Sequence, residues 1–313
     1  MFIAPGVRGK AQAFRGSKVM ALHPVVEKVV KAYLAAVDTE APGLIEGLYL
    51  TGSAALDEFR PNTSDIDFVA ITAARPEAAM LAGLARAHSR LRRSCRRPSF
   101  DGLYATWDDL ASHPAHAEGL PYSHEGCFHA SGSRGDPVTW QTVARRGIPC
   151  RGPRTEALGI WTDAEFLATW TLNNRDVYWR KLLVRAVSFP DPWSLTALTT
   201  YGAVWIVPGI SRLHYTLATG EICSKEAASR YAIRTFPEQW HRVLNESLRI
   251  RQADRARHDL ASAVTEIAAD LRICAGGRGG SLYRTPFARR RDVLAFGDMV
   301  VADAWRRYGK RSV

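Results

Sequence analysis

Two aspartates separated by one residue, Asp65 and Asp67, are the side chains of this sequence best placed to do chemistry. They stand at the start of an apolar run, residues 66–71, which is typical of a buried strand. Because side chains alternate along a strand, both carboxylates would project from the same face. Neighbouring carboxylates repel each other unless a cation lies between them, and Mg²⁺ binds one or two carboxylates together with substrate phosphates. The pair therefore predicts a nucleotide–Mg²⁺ site.

A glycine–serine step supplies the second part of that site. Gly52 and Ser53 follow the apolar stretch 45–50, and glycine lets backbone N–H groups approach a phosphate because it has no Cβ. We interpret residues 45–72 as a strand, a tight turn, a polar crossover and a second strand. The alternative is a surface loop followed by a strand that opens with two solvated aspartates.

The pattern G-S…S-D-I-D in this stretch resembles the polymerase-β-like nucleotidyltransferase superfamily, and within it the aminoglycoside adenylyltransferases that modify streptomycin and spectinomycin. The resemblance implies an α/β nucleotidyltransferase domain, a mixed sheet with flanking helices, followed by an all-helical domain. ATP and an acceptor would lie in the cleft between the two. The resemblance also implies two Mg²⁺ ions on Asp65, Asp67 and a third carboxylate, with ATP contacts from Gly52, Ser53 and Ser64.

Asp101 is the candidate for the third carboxylate. It opens the stretch 99–106, which has the pattern of a further strand, and the acids Asp108 and Asp109 follow it as they do in the resembling family. The family has glutamate at the position of Asp101, which is one methylene longer. Asp101 is therefore a metal ligand or the general base that takes the proton of the acceptor hydroxyl. The alternative is an aspartate that caps a turn at the end of the strand.

The second half of the chain extends the resemblance. The segments 211–215, 219–222 and 224–228 are similar to the helical domain of the streptomycin and spectinomycin adenylyltransferases. By that resemblance, Arg212 and Lys225 reach across the cleft to the phosphates of ATP, where cations offset the phosphate charge. The alternative for each is a solvated basic residue on a helix.

Residues on the acceptor side follow from the resemblance alone. Trp193 aligns with a family tryptophan that borders the antibiotic, and Asp191 is the nearest acid to it. Glu125 lies in the polar stretch 111–135, which we interpret as a loop at the acceptor pocket. At the positions of the antibiotic-binding carboxylates of the family, this chain has other residues, Leu198 and Gly202.

Composition limits the class of protein. Of the 313 residues, 46% are hydrophobic and 23% are charged, which is ordinary for a soluble protein of about two domains. No apolar run is long enough to span a membrane. The five cysteines are widely spaced without a CxxC pair, so we expect neither a zinc site nor a disulfide framework, and a cytoplasmic protein. The net charge of +11 favours anionic partners and disfavours a polycationic acceptor.

The domain division is predicted from composition and breaks in the pattern. Residues 1–20 are expected to be a disordered extension, 21–152 the nucleotidyltransferase domain and 153–313 the helical domain, with the link at 149–153. Further expectations are helices over 164–187, from Ser194 with an interruption at Pro208, over 238–272 and over 288–307. The glycines at 276–280 lack the Gly-Lys-Ser/Thr of a P-loop.

The sequence therefore predicts a monomeric Mg²⁺-dependent enzyme that transfers AMP from ATP to a hydroxyl of a small molecule, an aminoglycoside-type antibiotic by resemblance, and releases pyrophosphate. One alternative acceptor is a different metabolite. Another is RNA or protein, because six arginines between Arg86 and Arg97 form a basic helix face that also fits a solvated surface. A third alternative is a catalytically silent nucleotide-binding module.

Overall fold

The computed structural model describes residues 22–253 and 280–309. The predictions for residues 1–20, for a helix beyond residue 253 and for the glycines 276–279 lie outside these ranges. Six strands form one sheet: β1 (Gly47–Leu50), β2 (Ile66–Thr72), β3 (Phe100–Thr106), β4 (Glu118–His124), β5 (Cys127–Arg134) and β6 (Ile148–Arg151).

The sheet has the strand order β5-β4-β3-β2-β1-β6. Strands β2 and β3 are parallel, and all the other neighbours are antiparallel. Its helices are α1 (Pro24–Glu40), α2 (Gly52–Ala55), α3 (Ala78–Ser94), α4 (Trp107–Ala111) and α5 (Pro137–Arg146). The predicted mixed sheet with flanking helices is confirmed.

Alternation along β2 explains the two layers on the sheet. Ile66 and Phe68 pack with α1 and α3 on one face, and Val69 and Ile71 pack with Trp140 of α5 on the other. Asp67 lies on the same face of β2 as Val69 and Ile71, because every second side chain of a strand points the same way. The carboxylate of Asp67 therefore lies on the face of the sheet opposite α1 and α3.

The chain after the sheet is helical, as predicted. Its helices are α6 (Ala164–Asn174), a π-wound turn (Arg175–Arg180), α7 (Lys181–Val187), α8 (Pro192–Thr196), α9 (Thr200–Thr219), α10 (Lys225–Thr235), α11 (His241–Gln252) and α12 (Pro286–Tyr308). A separate apolar core joins α9 to α7, α10, α11 and α12. In the parts of the chain that the structure covers, no helix is both long and apolar enough to cross a bilayer.

Two local expectations were wrong, and the predicted division into domains stays a prediction. The stretch 111–135 is not a polar loop, because most of it forms the hairpin β4–β5. The proposed link at 149–153 lies mainly in β6, which pairs with β1. Pro208 does not interrupt α9, and the break falls before Thr199 instead. Directly after Pro208, Gly209 allows α9 to pack closely against Trp179, because an added Cβ there would lie 2.2 Å from the Trp179 ring.

Candidate functional site

The register of the parallel strands brings the predicted carboxylates together. Asp67 of β2 is paired directly with Asp101 of β3, and Asp65 precedes β2 by one residue. Burial raises the pKa of Asp67 to about 6, with a further increase from Asp65 and a smaller one from Asp101. Lys225 and Arg212 act on Asp67 in the opposite direction. The three carboxylates and two cations that the sequence singled out thus share one electrostatic environment.

The Gly-Ser turn lies directly on the Asp67 carboxylate. Gly52 has φ +53°, and a Cβ built on it would lie 1.8 Å from Oδ2 of Asp67. The backbone N–H of Thr51 donates to the Asp67 carbonyl at 2.9 Å, which ties β1 to β2 at this point. Only glycine fits this approach, because any side chain would occupy the space of the carboxylate.

The two serines have different surroundings. The Ser53 hydroxyl is 3.5 Å from the Asp65 carbonyl, a long contact that leaves the hydroxyl available at the turn. The Ser64 hydroxyl accepts a bond of 3.0 Å from the backbone N–H of Arg60. Ser64 therefore orders the loop before Asp65, and its contact with ATP stays a prediction.

A hairpin turn orients the third carboxylate. Asp101 accepts bonds from the backbone N–H groups of Glu125, at 2.9 Å, and Gly126, at 2.8 Å, one on each oxygen. Both donors have positive φ, 51° and 70°, as in the tight two-residue turns of hairpins. Burial is the largest influence on the pKa of Asp101 and raises it, while the Gly126 bond lowers it. The sequence missed this support, although a Glu-Gly step is a turn signal.

Lys225 faces the carboxylates from the first turn of α10. Burial lowers its pKa to about 7, and the charges of Arg251 and Arg212 lower it further, whereas Asp67 and Asp65 raise it. Its ammonium lies 4.7 Å from the centre of the Trp205 ring. The structure therefore brings the predicted phosphate-binding lysine opposite the carboxylate group.

The loop between α2 and β2 holds α10 in place. Arg60 binds Glu226 through two nitrogens, at 2.6 and 3.2 Å, and the Glu226 backbone N–H donates to Glu58 at 3.0 Å. Arg230 adds a contact of 3.1 Å to Glu226, whose side chain is only 3% exposed. We call these four residues the clasp. It joins the loop that leads into Asp65 to the helix that begins with Lys225.

An aromatic group on α9, which the sequence analysis did not single out, adjoins Lys225. Tyr201 stacks on Trp205 with 5.7 Å between ring centres, and the Trp205 indole donates to the Tyr178 hydroxyl at 3.0 Å. Burial raises the pKa of Tyr201, and Tyr178, Asp65 and Glu125 raise it further. The spacing 201, 205 and 212 on one helix face, shared with Arg212, is the signal that could have found these rings.

The other predicted acceptor contacts have structural partners. Asp191 accepts from Nε of Arg185 at 2.9 Å and from the backbone N–H of Trp193 at 2.8 Å, so it caps α8. Trp193 packs against the helical core. Their contact with an acceptor stays a prediction.

Leu198 and Gly202 stand at the positions of the antibiotic-binding carboxylates of the family, and the structure shows the surroundings of both. Leu198 is buried in the helical part, and a Cβ on Gly202 would lie 2.3 Å from the Thr196 carbonyl oxygen. An acidic side chain at position 202 would therefore require the backbone to move.

The basic face of α3 is partly neutralised. Arg86 and Arg90 both pair with Glu40, at 2.5 and 3.0 Å. These ion pairs reduce the charge available to a nucleic acid.

The donor set fits Mg²⁺ bound together with a nucleotide. Over residues 22–253 and 280–309, no three His, Cys, Asp or Glu side chains are close enough together to hold a metal by themselves. Mg²⁺ commonly takes one or two carboxylates and completes its shell with phosphates and water, which Asp65 and Asp67 allow. A cation there would also offset the charge of Asp65, which adds to the effect of burial on the pKa of Asp67.

Comparison with known proteins gives two findings. Residues 192–272 match the family model described as aminoglycoside adenylyltransferase, C-terminal domain. The structure of spectinomycin adenyltransferase AAD(9) from Enterococcus faecialis, solved with ATP and spectinomycin, has a similar fold. Its TM-score is 0.54 at 9% sequence identity, covering 87% of this chain and 99% of the other. No curated protein matches in sequence.

Proposed function

We propose that the chain is a nucleotidyltransferase of the aminoglycoside adenylyltransferase family, whose C-terminal domain matches residues 192–272, and that it transfers AMP from ATP to a small-molecule hydroxyl. The acceptor that the family suggests is an aminoglycoside-type antibiotic, and pyrophosphate is the second product. The observation that carries the proposal is the pairing of Asp67 with Asp101 beneath the Gly52 turn, opposite Lys225.

The carboxylate side of the cleft binds the reacting phosphate. Asp65 and Asp67 would hold Mg²⁺, with two ions expected from the family, and the metal would supply Lewis-acid polarisation of the phosphates. Gly52 lets the turn approach the β- and γ-phosphates, and the Ser53 hydroxyl, at the same turn, is a donor to them.

The cation side stabilises the leaving group. Arg212 and Lys225 bind the phosphates that depart as pyrophosphate, where negative charge develops during transfer. The pKa of Lys225 is about 7 in the protein alone, and the added negative charge of ATP favours its protonated form.

Asp101 acts at the acceptor. The acceptor oxygen forms a bond to the α-phosphorus while the bond from that phosphorus to the pyrophosphate oxygen breaks. Asp101 takes the hydroxyl proton or helps to bind the second metal, and its raised pKa suits a base better than that of an ordinary aspartate. Two hairpin N–H bonds fix the direction of its carboxylate.

The test is pyrophosphate release with ATP and Mg²⁺ against aminoglycosides and spectinomycin. Asp65→Asn removes one charge at almost constant size, and we expect turnover to fall by about 10³-fold or more with the fold intact. Asp108→Asn is the matched control, since Asp108 is exposed on α4, and it should retain full turnover. Undiminished turnover in Asp65→Asn would sink the assignment, and so would silence of the wild-type enzyme on every acceptor.

A further inference from the structure

A cavity on the helical half of the chain is lined by none of the predicted catalytic, ATP-binding or acceptor residues. Its volume is about 860 Å³, within the range of small-molecule sites. It lies between the π-wound turn, α7 and α12, and its charged and aromatic wall consists of Arg175, Asp176, Arg180, Lys181, Arg185 and Trp305. The proposed function leaves this cavity without a role.

The winding of the chain brings the cations of this wall together. Arg175 and Arg180 are five residues apart, as are Asp176 and Lys181. In an α-helix, positions five apart point about 140° away from each other. In the π-wound turn the backbone hydrogen bonds span five residues, which turns such positions towards the same face. Lys181 and Arg185 follow at the four-residue spacing of α7, so the positive charge is concentrated on one side.

The wall carries an excess of positive charge. It contains four cationic side chains and one carboxylate, Asp176, which accepts from Arg175 and lies 3.9 Å from Arg180. Asp191, outside the wall, pairs with Arg185 at 2.9 Å. Two carboxylates thus serve four cations, and the cavity attracts anions.

Arg175 is the buried member of the wall. It is 6% exposed, its guanidinium lies 4.4 Å from the centre of the Trp305 ring, and it donates to Asp176. Its Nε has no hydrogen-bond partner in the part of the chain that the structure describes. A buried guanidinium is costly unless its charge is offset, and Asp176 is shared with Arg180 and is 41% exposed. The wall therefore holds a fixed charge that a bound anion would balance.

Apolar surface borders these charges. Trp305 is 54% exposed and Val184 is 61% exposed, and both line the cavity. Exposed apolar surface in a cavity favours a ligand with a ring or another apolar body, because contact removes that surface from water. The ligand that fits this wall combines a negative group with a ring.

The excess charge favours phosphate as the negative group. A phosphate monoester carries about −1.5 to −2 charges at pH 7, which balances the two cations in excess, whereas a carboxylate carries one. Guanidinium groups also match phosphate oxygens with paired N–H donors. We propose that the cavity is a binding site for a small phosphorylated ring compound. Its phosphate contacts Arg175, Arg180 and Lys181. Its ring packs against Trp305 and Val184.

The test is calorimetric titration with naphthyl phosphate, inorganic phosphate and naphthol, in the absence of ATP and Mg²⁺. Naphthyl phosphate carries both parts of the ligand, and each of the other two probes carries one part. We expect naphthyl phosphate to bind about tenfold more tightly than either of them, because it alone contacts both the cations and the apolar surface.

Two variants remove one cation each from the wall. Arg180→Met and Lys181→Met should each raise the Kd of naphthyl phosphate by about fivefold or more. Both side chains are exposed, so the variants should keep the fold. Arg291→Met is the matched control, because the Arg291 side chain is 75% exposed against 72% for Arg180 but lies outside the cavity. Its Kd should stay within about twofold of wild type.

The ring contact is tested separately. Trp305→Ala should raise the Kd of naphthyl phosphate by about fivefold and change that of inorganic phosphate by less than about twofold. Phe287→Ala is the control, since Phe287 is 60% exposed on the same helix and lies outside the cavity, and it should change neither.

Four outcomes overturn the inference. These are no binding of naphthyl phosphate to the wild type, equal affinity in the wild type and both wall variants, an equal loss in Arg291→Met, and naphthol that binds as tightly as naphthyl phosphate. Loss of binding in Lys225→Met would also do so, because it would assign the probe to the nucleotide site. Neither ATP nor an acceptor is present, so the proposed function is tested independently by pyrophosphate release.

Discussion

Gly52 shows how one missing methyl group defines the site. Gly52→Ala would place a Cβ 1.8 Å from the Asp67 carboxylate at a positive φ, so Asp67 must turn away. We expect pyrophosphate release to fall by about 10²-fold or more, with a loss of about 1–2 kcal/mol in the free energy of unfolding.

Gly43→Ala is the matched control for this prediction. Gly43 also has a positive φ, +72°, but nothing lies within 4 Å of the position that an added methyl group would take. The backbone strain is the same, so stability should fall similarly while turnover stays at the wild-type level. Equal turnover in the two variants would mean that the Gly52 turn does not set the position of Asp67.

Single residues were predictable where their chemistry is unusual for their place in the chain. Two aspartates at a strand start and a glycine before a polar crossover stand out against apolar neighbours, and the structure brings them together. Tyr201 did not stand out, because an aromatic residue in a helix usually belongs to the core. Its position beside Trp205 depends on how α9 is rotated by packing on Trp179 and the other helices.

At the scale of elements, the clasp couples the loop after α2 to α10. Arg60→Met and Glu226→Gln each break a largely buried ion pair and should raise the KM for ATP by about tenfold, because Lys225 is no longer held opposite Asp67. The double variant should be little worse than either single variant, since both remove the same interaction.

Arg151→Met is the control for the clasp. Arg151 binds Asp38 at 2.6 Å with a similar exposure, 30% against 31% for Arg60, but both partners lie in the sheet domain. We expect a change in stability without a change in the KM for ATP. Additive effects of Arg60→Met and Glu226→Gln on that KM would show that the two residues do not act as a pair.

Elements were predictable where apolar periodicity is strong. Strands β1 to β3 and helix α9 carry buried runs. The hairpin β4–β5 was missed because most residues of β5 are exposed, so no alternation marks it. An edge strand of this kind is held by its partner's backbone, and that pairing has no signature in its own sequence.

At the scale of the whole molecule, a buried histidine makes stability depend on pH. His88 is 2% exposed, with Nε2 2.6 Å from the Tyr104 hydroxyl and a buried Nδ1 that has no hydrogen-bond partner within residues 22–253 and 280–309. Burial lowers its pKa to about 4. Below pH 6.5 the unfolded chain therefore binds a proton that the folded chain does not bind until about pH 4.

Above pH 6.5, His88 does not lower the free energy of unfolding. As the pH falls below 6.5, the free energy of unfolding decreases, by about 3 kcal/mol at pH 4. Urea unfolding of wild type and His88→Gln across this range measures it. The Gln variant keeps a polar group near Tyr104 but cannot take a proton, so its stability should fall less steeply. Parallel curves would contradict a neutral, buried His88.

The overall architecture was predictable because a sheet pattern followed by a helical pattern leaves few arrangements. The way in which the two halves meet was not, because the residues of the clasp are charged and look like surface residues in the sequence. Their burial arises only when both halves are present.

The clasp also limits how the halves can be recombined. Ser224 caps α10 from within the helical half, and Glu58 of the sheet half adds a second acceptor by binding the backbone N–H of Glu226. A chimera whose sheet half lacks glutamate at position 58 and arginine at position 60 would lose this second acceptor and leave Glu226 without Arg60. The helical half can therefore be exchanged only if positions 58 and 60 are exchanged together with 226 and 230 as one set.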